Sequence, residues 1–87
     1  MGVKYKIANK LDLPIDLVLG AMNIHLTGNY EVYVENYKAI MQYSSENITL
    51  RGKNNIVHIK GKRLCIDNFS KTDMIIKGYI LEVSFDK

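Results

Sequence analysis

Apolar and polar positions alternate along most of this chain. Tyr30, Val32 and Val34 fall on one face of an extended segment, and Glu31, Tyr33 and Glu35 on the other. Four segments share the pattern apolar-x-apolar-x-Gly: Ile24-His-Leu26-Thr-Gly28, Ile48-Thr-Leu50-Arg-Gly52, Val57-His-Ile59-Lys-Gly61 and Met74-Ile-Ile76-Lys-Gly78. The intervals between them are 24, 9 and 17 residues, so this is a reused strand ending and not a repeat of fixed period. A period of two sends one set of side chains to a core and turns His25, Thr49 and His58 outward or toward a second layer.

Each terminal glycine supplies a backbone shape that a β-branched neighbour resists. Gly28, Gly61 and Gly78 stand between apolar runs and fit two-residue hairpin turns with positive φ, or else a bend inside a continuing strand. Gly52 opens a longer polar turn with Lys53, Asn54 and Asn55. Asn36 suits the left-handed conformation of a tight turn, with Ala39 to Tyr43 as the return strand and Ser44 to Asn47 as the next turn. Glu35 to Tyr43 also admits a helix, but the density of tyrosine and isoleucine favours strands. Asn68 to Thr72 reads as a loop around Phe69. About eight short, mostly antiparallel strands result. Turns every 8–12 residues are consistent with a sandwich, a small barrel or a solenoid-like stacked sheet.

The start of the chain differs. Val3, Ile7 and Leu11 recur every four residues with Lys4, Lys6 and Lys10 between them. Asp12-Leu-Pro14 reads as a helix start, Ile15, Val18 and Leu19 as an apolar stripe, and Gly20 as its end. The expected organisation is one domain over residues 1–87, with a helical arm over 1–20 and a β domain over 21–87. Val3, Lys4, Lys6, Ile7, Lys10 and Leu11 are the candidate contact to a partner or a membrane surface, since a basic amphipathic helix lies well on an anionic interface. The stripe equally suits covering the sheet's own open edge.

Composition narrows the function classes. The 87 residues carry a net charge of +3, mild enough to permit an acidic membrane or nucleic acid without demanding either. A single cysteine, Cys65, excludes an internal disulfide framework, and its place between Leu64 and Ile66 predicts a packed or half-packed strand position. No wholly apolar run exceeds three residues, as at Leu17 to Leu19, far short of a bilayer span, and the N-terminus lacks the apolar core of a secretory signal. The expected location is therefore cytoplasmic.

Candidate chemistry is sparse. The two histidines have no Cys-x-x-Cys, His-x-x-x-His or carboxylate cluster beside them, so no metal or cofactor is expected. No phosphate loop, dinucleotide fingerprint or nucleophile elbow is present. Ser44 or Ser70 assembles into a triad only in the loose sense open to any chain with histidines. Glu35 flanks a turn, where solvation leaves it no acid–base role. Lys60, Lys62, Arg63 and Lys77 with Tyr79, extended by Arg51 and Lys53, form the case for a small nucleic-acid-binding β domain, against which lysines at strand ends also serve to block edge aggregation.

From about Lys10 onward the sequence resembles the YabP/YqfC family. The resemblance rests on Leu11-Asp12-Leu13-Pro14, Gly28-Asn29, Tyr33-Val-Glu35-Asn36, Ile59-Lys-Gly61-x-x-Leu64 and Ile76-x-Gly78. Tyr37 stands where many relatives carry histidine. The resemblance implies a non-enzymatic role in endospore formation of a Gram-positive bacterium, in the mother cell and peripheral to a membrane. It also implies a membrane sporulation protein as partner, and it brings no catalytic residues. An exposed sheet edge would carry such a contact and is equally compatible with a homo-oligomer.

Overall fold

The computed structural model describes residues 20–86, and the expected helical arm with its candidate contact residues lies outside them. Six strands form one antiparallel sheet: β1 (Asn23–Thr27), β2 (Glu31–Glu35), β3 (Ala39–Tyr43), β4 (Asn47–Arg51), β5 (Ile56–Phe69) and β6 (Asp73–Phe85). Their order in the sheet is β1-β2-β6-β5-β4-β3, and no helix occurs among the described residues.

That order forces the sheet to fold over. β2 and β3 stand four places apart, about 19 Å in a flat sheet. The four peptide steps from Glu35 to Ala39 reach at most about 14 Å. The bend lies in the long β5–β6 hairpin. β2 pairs with Asp73 to Lys77 of β6, whereas β4 pairs with Ile56 to Lys60 of β5, so the two ends of the hairpin serve two different layers. Val32, Val34, Met74 and Ile76 from one layer meet Ile48, Leu50, Val57 and Ile59 from the other in a single buried cluster. Each of the last three apolar-x-apolar-x-Gly segments places its two apolar side chains there; the first contributes Ile24 at the margin of the cluster, while Leu26 on the edge strand β1 remains 54% exposed.

Gly61 and Gly78 do not make hairpin turns. Both lie inside strands, at the bend, which is why six strands replace the expected eight: treating each glycine as a turn cuts β5 and β6 in two. Gly61 has no left-handed φ. A Cβ there would sit 2.0 Å from the carbonyl oxygen of Tyr79, and one on Gly78 would sit 2.6 Å from that of Arg63. The strand backbones approach at the bend more closely than any side chain permits. Gly78 at φ 146° and Arg63 at φ 53° complete the local distortion. Register shifts between Lys60 and Gly61 and between Lys62 and Cys65 mark the same place. They also change the phase of β5, so that Leu64 is buried and Cys65 is exposed, correcting the packed position expected for the thiol.

Asn36 does adopt the left-handed conformation, at φ 66°. It begins a crossover between layers, however, and not a turn into a neighbouring return strand. Asn36 N donates to Thr72 O at 2.7 Å and Lys38 N to Arg51 O at 2.7 Å, so the three-residue link is bonded to one layer at its start and to the other at its end. Tyr37 between them is buried and its hydroxyl donates to Ser70 O. The expected polar turns hold. Ser44 Oγ accepts from the amides of Glu46 and Asn47, Gly52 N donates to Asn55 O, and Gly28 takes φ 51° between β1 and β2.

Candidate functional site

Two polar clusters face away from the core, one on each layer. In the first, β1, β2 and β6 bring together His25, Tyr33, Glu35 and Asp73. The register sets Tyr33 beside His25 and Glu35 beside Asp73. The His25 and Tyr33 rings stack at 5.8 Å, His25 Nε2 lies 3.5 Å from Glu35 Oε1, and Tyr33 OH donates to Glu35 Oε2 at 3.4 Å. Desolvation, then the carboxylates of Asp73 and Glu35, push the Tyr33 phenol above its usual value, so it is held as a hydrogen-bond donor. Beside it is a depression of about 250 Å³ lined by Tyr33, Phe69, Ser70, Asp73 and Ile75 among others.

Glu35 therefore ends a strand opposite a second carboxylate, a neighbour that the turn reading did not contain. The chemistry still falls short of a general acid. The Glu35 side chain is 37% exposed and the depression is open, so the pair stands in contact with water and not in the dry cleft that a general acid uses.

The second cluster is a chain of four side chains on β4, β5 and the residue after β6. Asn47 Nδ2 donates to Thr49 Oγ1 at 3.1 Å, Thr49 Oγ1 lies 3.0 Å from His58 Nδ1, and His58 Nε2 lies 2.7 Å from Asp86 Oδ1. Through these contacts His58 bridges the Thr49 hydroxyl at Nδ1 and the Asp86 carboxylate at Nε2. The order hydroxyl, imidazole, carboxylate is that of a hydrolytic triad. Thr49, however, is only 5% exposed, so its hydroxyl has no room to meet a carbonyl. The chain instead fastens the C-terminal end of β6 to β4 and β5, with Asp86 N donating to Ile56 O at 3.0 Å. Replacing His58 with alanine is expected to cost about 2 kcal/mol in urea unfolding, because it strands the buried Thr49 hydroxyl. Asp86→Ala is expected to cost under about 1 kcal/mol, since that end of the chain is half in water.

The other candidate residues are dispersed or neutralised. Lys62 lies 4.0 Å from Glu46, Lys77 lies 3.5 Å from Asp67, and Lys60 stands opposite Glu82 in the β5–β6 register. These acids interrupt the basic face suggested for nucleic acid. Among the described residues no group of three or more histidine, cysteine, aspartate or glutamate side chains is placed to hold a metal ion.

The family model described as the YabP family matches residues 19–87. The chain belongs to the YabP family. It is similar to the uncharacterized protein YqfC of Bacillus subtilis (strain 168), with 23% identity over 78 residues that cover 90% of this chain and 84% of that protein. No solved structure matches it. The residues by which it resembles this family have structural roles where the structure describes them. Gly28-Asn29 forms the β1–β2 turn, and Asn29 O accepts from Ile80 N at 2.7 Å across the bend. Glu35-Asn36 starts the crossover, and Gly61, Leu64 and Gly78 build the bend itself. The residues of this resemblance that the structure describes thus lie where the sheet turns, crosses between layers and folds over.

Proposed function

We propose that this chain is a non-enzymatic β-rich adaptor in endospore formation, the process that its YabP-family resemblance implies, and that it binds another sporulation protein at a membrane. The observation that carries the reading is the apolar surface at the rims of the two layers. Leu26, Ile40, Met41, Tyr43, Leu81 and Phe85 are each at least 39% exposed, and all lie on strands with an edge left unpaired among the described residues. A contiguous apolar rim of this kind marks a surface that a partner protein covers with its own side chains.

Two experiments test it. Deletion of the gene in its host is expected to arrest sporulation while leaving vegetative growth intact, and the tagged full chain is expected to retain one membrane protein specifically from sporulating cells. Normal spores from the deletion strain would refute the process, and normal retention by a variant with charged rims would refute the edge contact. The lysine-flanked stripe of Val3, Ile7 and Leu11 makes a separate expectation. Each lysine near an anionic surface adds about 1 kcal/mol, so the full chain should bind anionic vesicles weakly, lose binding with added salt, and lose it altogether without residues 1–10. A truncated protein that binds equally well would move the membrane contact onto the sheet. The nucleic-acid alternative predicts salt-dependent oligonucleotide binding, which the acid-paired lysines disfavour.

A further inference from the structure

Among the described residues, a sheet that folds over without closing leaves four free edges, and this chain treats them unequally. The edge of β3 carries a bulge at Met41, between the paired residues Ile40 and Gln42. The distal edge of β5 carries one at Asp67, between Ile66 and Asn68, and Ile66 N is also capped by the Tyr43 hydroxyl. The distal edge of β6 carries one at Leu81, where Glu82 and Ile80 face Lys60 and Gly61 in succession. Bulges of this kind twist an edge away from incoming strands. β1 has none. Its five residues pair with β2 in unbroken register, and Asn-Ile-His-Leu-Thr contains no lysine, arginine, carboxylate or proline. It is the one edge of the four that is left fit for pairing.

The backbone direction of that edge is determined. Thr27 O accepts from Tyr30 N within the hairpin, so Thr27, His25 and Asn23 direct their backbone groups toward β2. Ile24 and Leu26 direct theirs away, into the open. Their side chains lie on the core-facing side of the sheet, register neighbours of Val34 and Val32, and Leu26 is 54% exposed, with no strand beyond it among the described residues.

The geometry points to a second copy of this chain as the occupant, paired antiparallel through β1 about a two-fold axis at His25. Only the register that sets Ile24 against Leu26 of the other copy uses both outward-facing residues of both chains. That register is self-complementary. Ile24 meets Leu26, Leu26 meets Ile24, Asn23 meets Thr27, and the two His25 side chains meet on the outer face, each stacked on its own Tyr33. It joins the outer layers of two molecules into one continuous sheet. A five-residue edge is at the weak end of specific interfaces, so the dimer forms at high local concentration. The inference concerns self-association and does not depend on the adaptor reading.

Sedimentation equilibrium of the full chain is expected to show a concentration-dependent monomer–dimer equilibrium. Leu26→Lys is expected to shift it toward monomer at least tenfold without lowering the melting temperature. The register has its own test by disulfide trapping in a Cys65→Ser background, which removes the exposed native thiol. His25→Cys is expected to give a cross-linked dimer under mild oxidation. Thr27→Cys alone is expected to give none, whereas a mixture of Thr27→Cys and Asn23→Cys chains cross-links. A monomer at every concentration, a dimer indifferent to Leu26→Lys, or equal cross-linking of all single-cysteine variants would each overturn the inference.

Discussion

Replacing Gly61 with alanine is expected to destabilise the protein by about 3 kcal/mol or more, and valine by more still. A domain of this length has on the order of 5–10 kcal/mol in all, so the valine variant should be largely unfolded at physiological temperature. The cause is a steric contact and not a dihedral preference. The added methyl would stand 2.0 Å from Tyr79 O, a backbone atom that moves only if β5 and β6 separate at the bend. Separation there also weakens the bonds from Gly61 N to Glu46 O and from Ile80 N to Asn29 O, which tie the turns of both layers to the hairpin. Gly78→Ala should be comparably harmful, because its Cβ would meet Arg63 O at 2.6 Å while φ is held at 146°. Since both substitutions open one contact, the double variant should cost less than the sum of the singles. Urea unfolding of the four proteins measures all of this. A Gly61→Ala cost under about 1 kcal/mol, the size of an ordinary glycine effect, would refute the close approach.

These two glycines also show where the fold stops being legible in the sequence. A glycine after alternating residues signals that a Cβ is unwelcome, but the same signal serves a left-handed turn and a tight backbone crossing. Gly28 is the first and Gly61 the second, and nothing local separates them. Alternation itself was fully readable. Val32 and Val34, Ile48 and Leu50, Val57 and Ile59, and Met74 and Ile76 all reach the core as their period of two requires. Asn36 was readable too, because few residues other than glycine tolerate φ near +60°. The partnership of β2 with β6 was not, since residues 31–35 carry no mark of a strand that begins about forty residues later. The same limit hid the polar chain. Thr49 and His58 are nine positions apart and His58 and Asp86 twenty-eight, so they meet only once the register of β4, β5 and β6 exists. The exposure of Cys65 has a third cause: the bulge beside Arg63 shifts the alternation by a residue that no composition reveals.

Tyr37 is expected to be the side chain on which the crossover between layers depends. It is 6% exposed, belongs to the same buried cluster as Val34 and Met74, and donates its hydroxyl to Ser70 O in the β5–β6 loop. The flanking amides of Asn36 and Lys38 bond to opposite layers, so the ring fills the space that the three-residue link must span. Tyr37→Ala should therefore cost about 3–4 kcal/mol, the range for deleting a buried aromatic ring. Tyr37→Phe keeps the ring and loses one hydrogen bond whose acceptor lies at an exposed residue, so about 1 kcal/mol is expected. Tyr37→His, the residue that the family resemblance places here, should fall between them: the imidazole retains a donor but fills less of the cavity and is costlier to bury. The order alanine, histidine, phenylalanine, wild type in rising stability is the measurable outcome. If phenylalanine proved as harmful as alanine, the hydroxyl and not the ring would hold the layers together; if alanine were harmless, the link would be held by its backbone bonds alone.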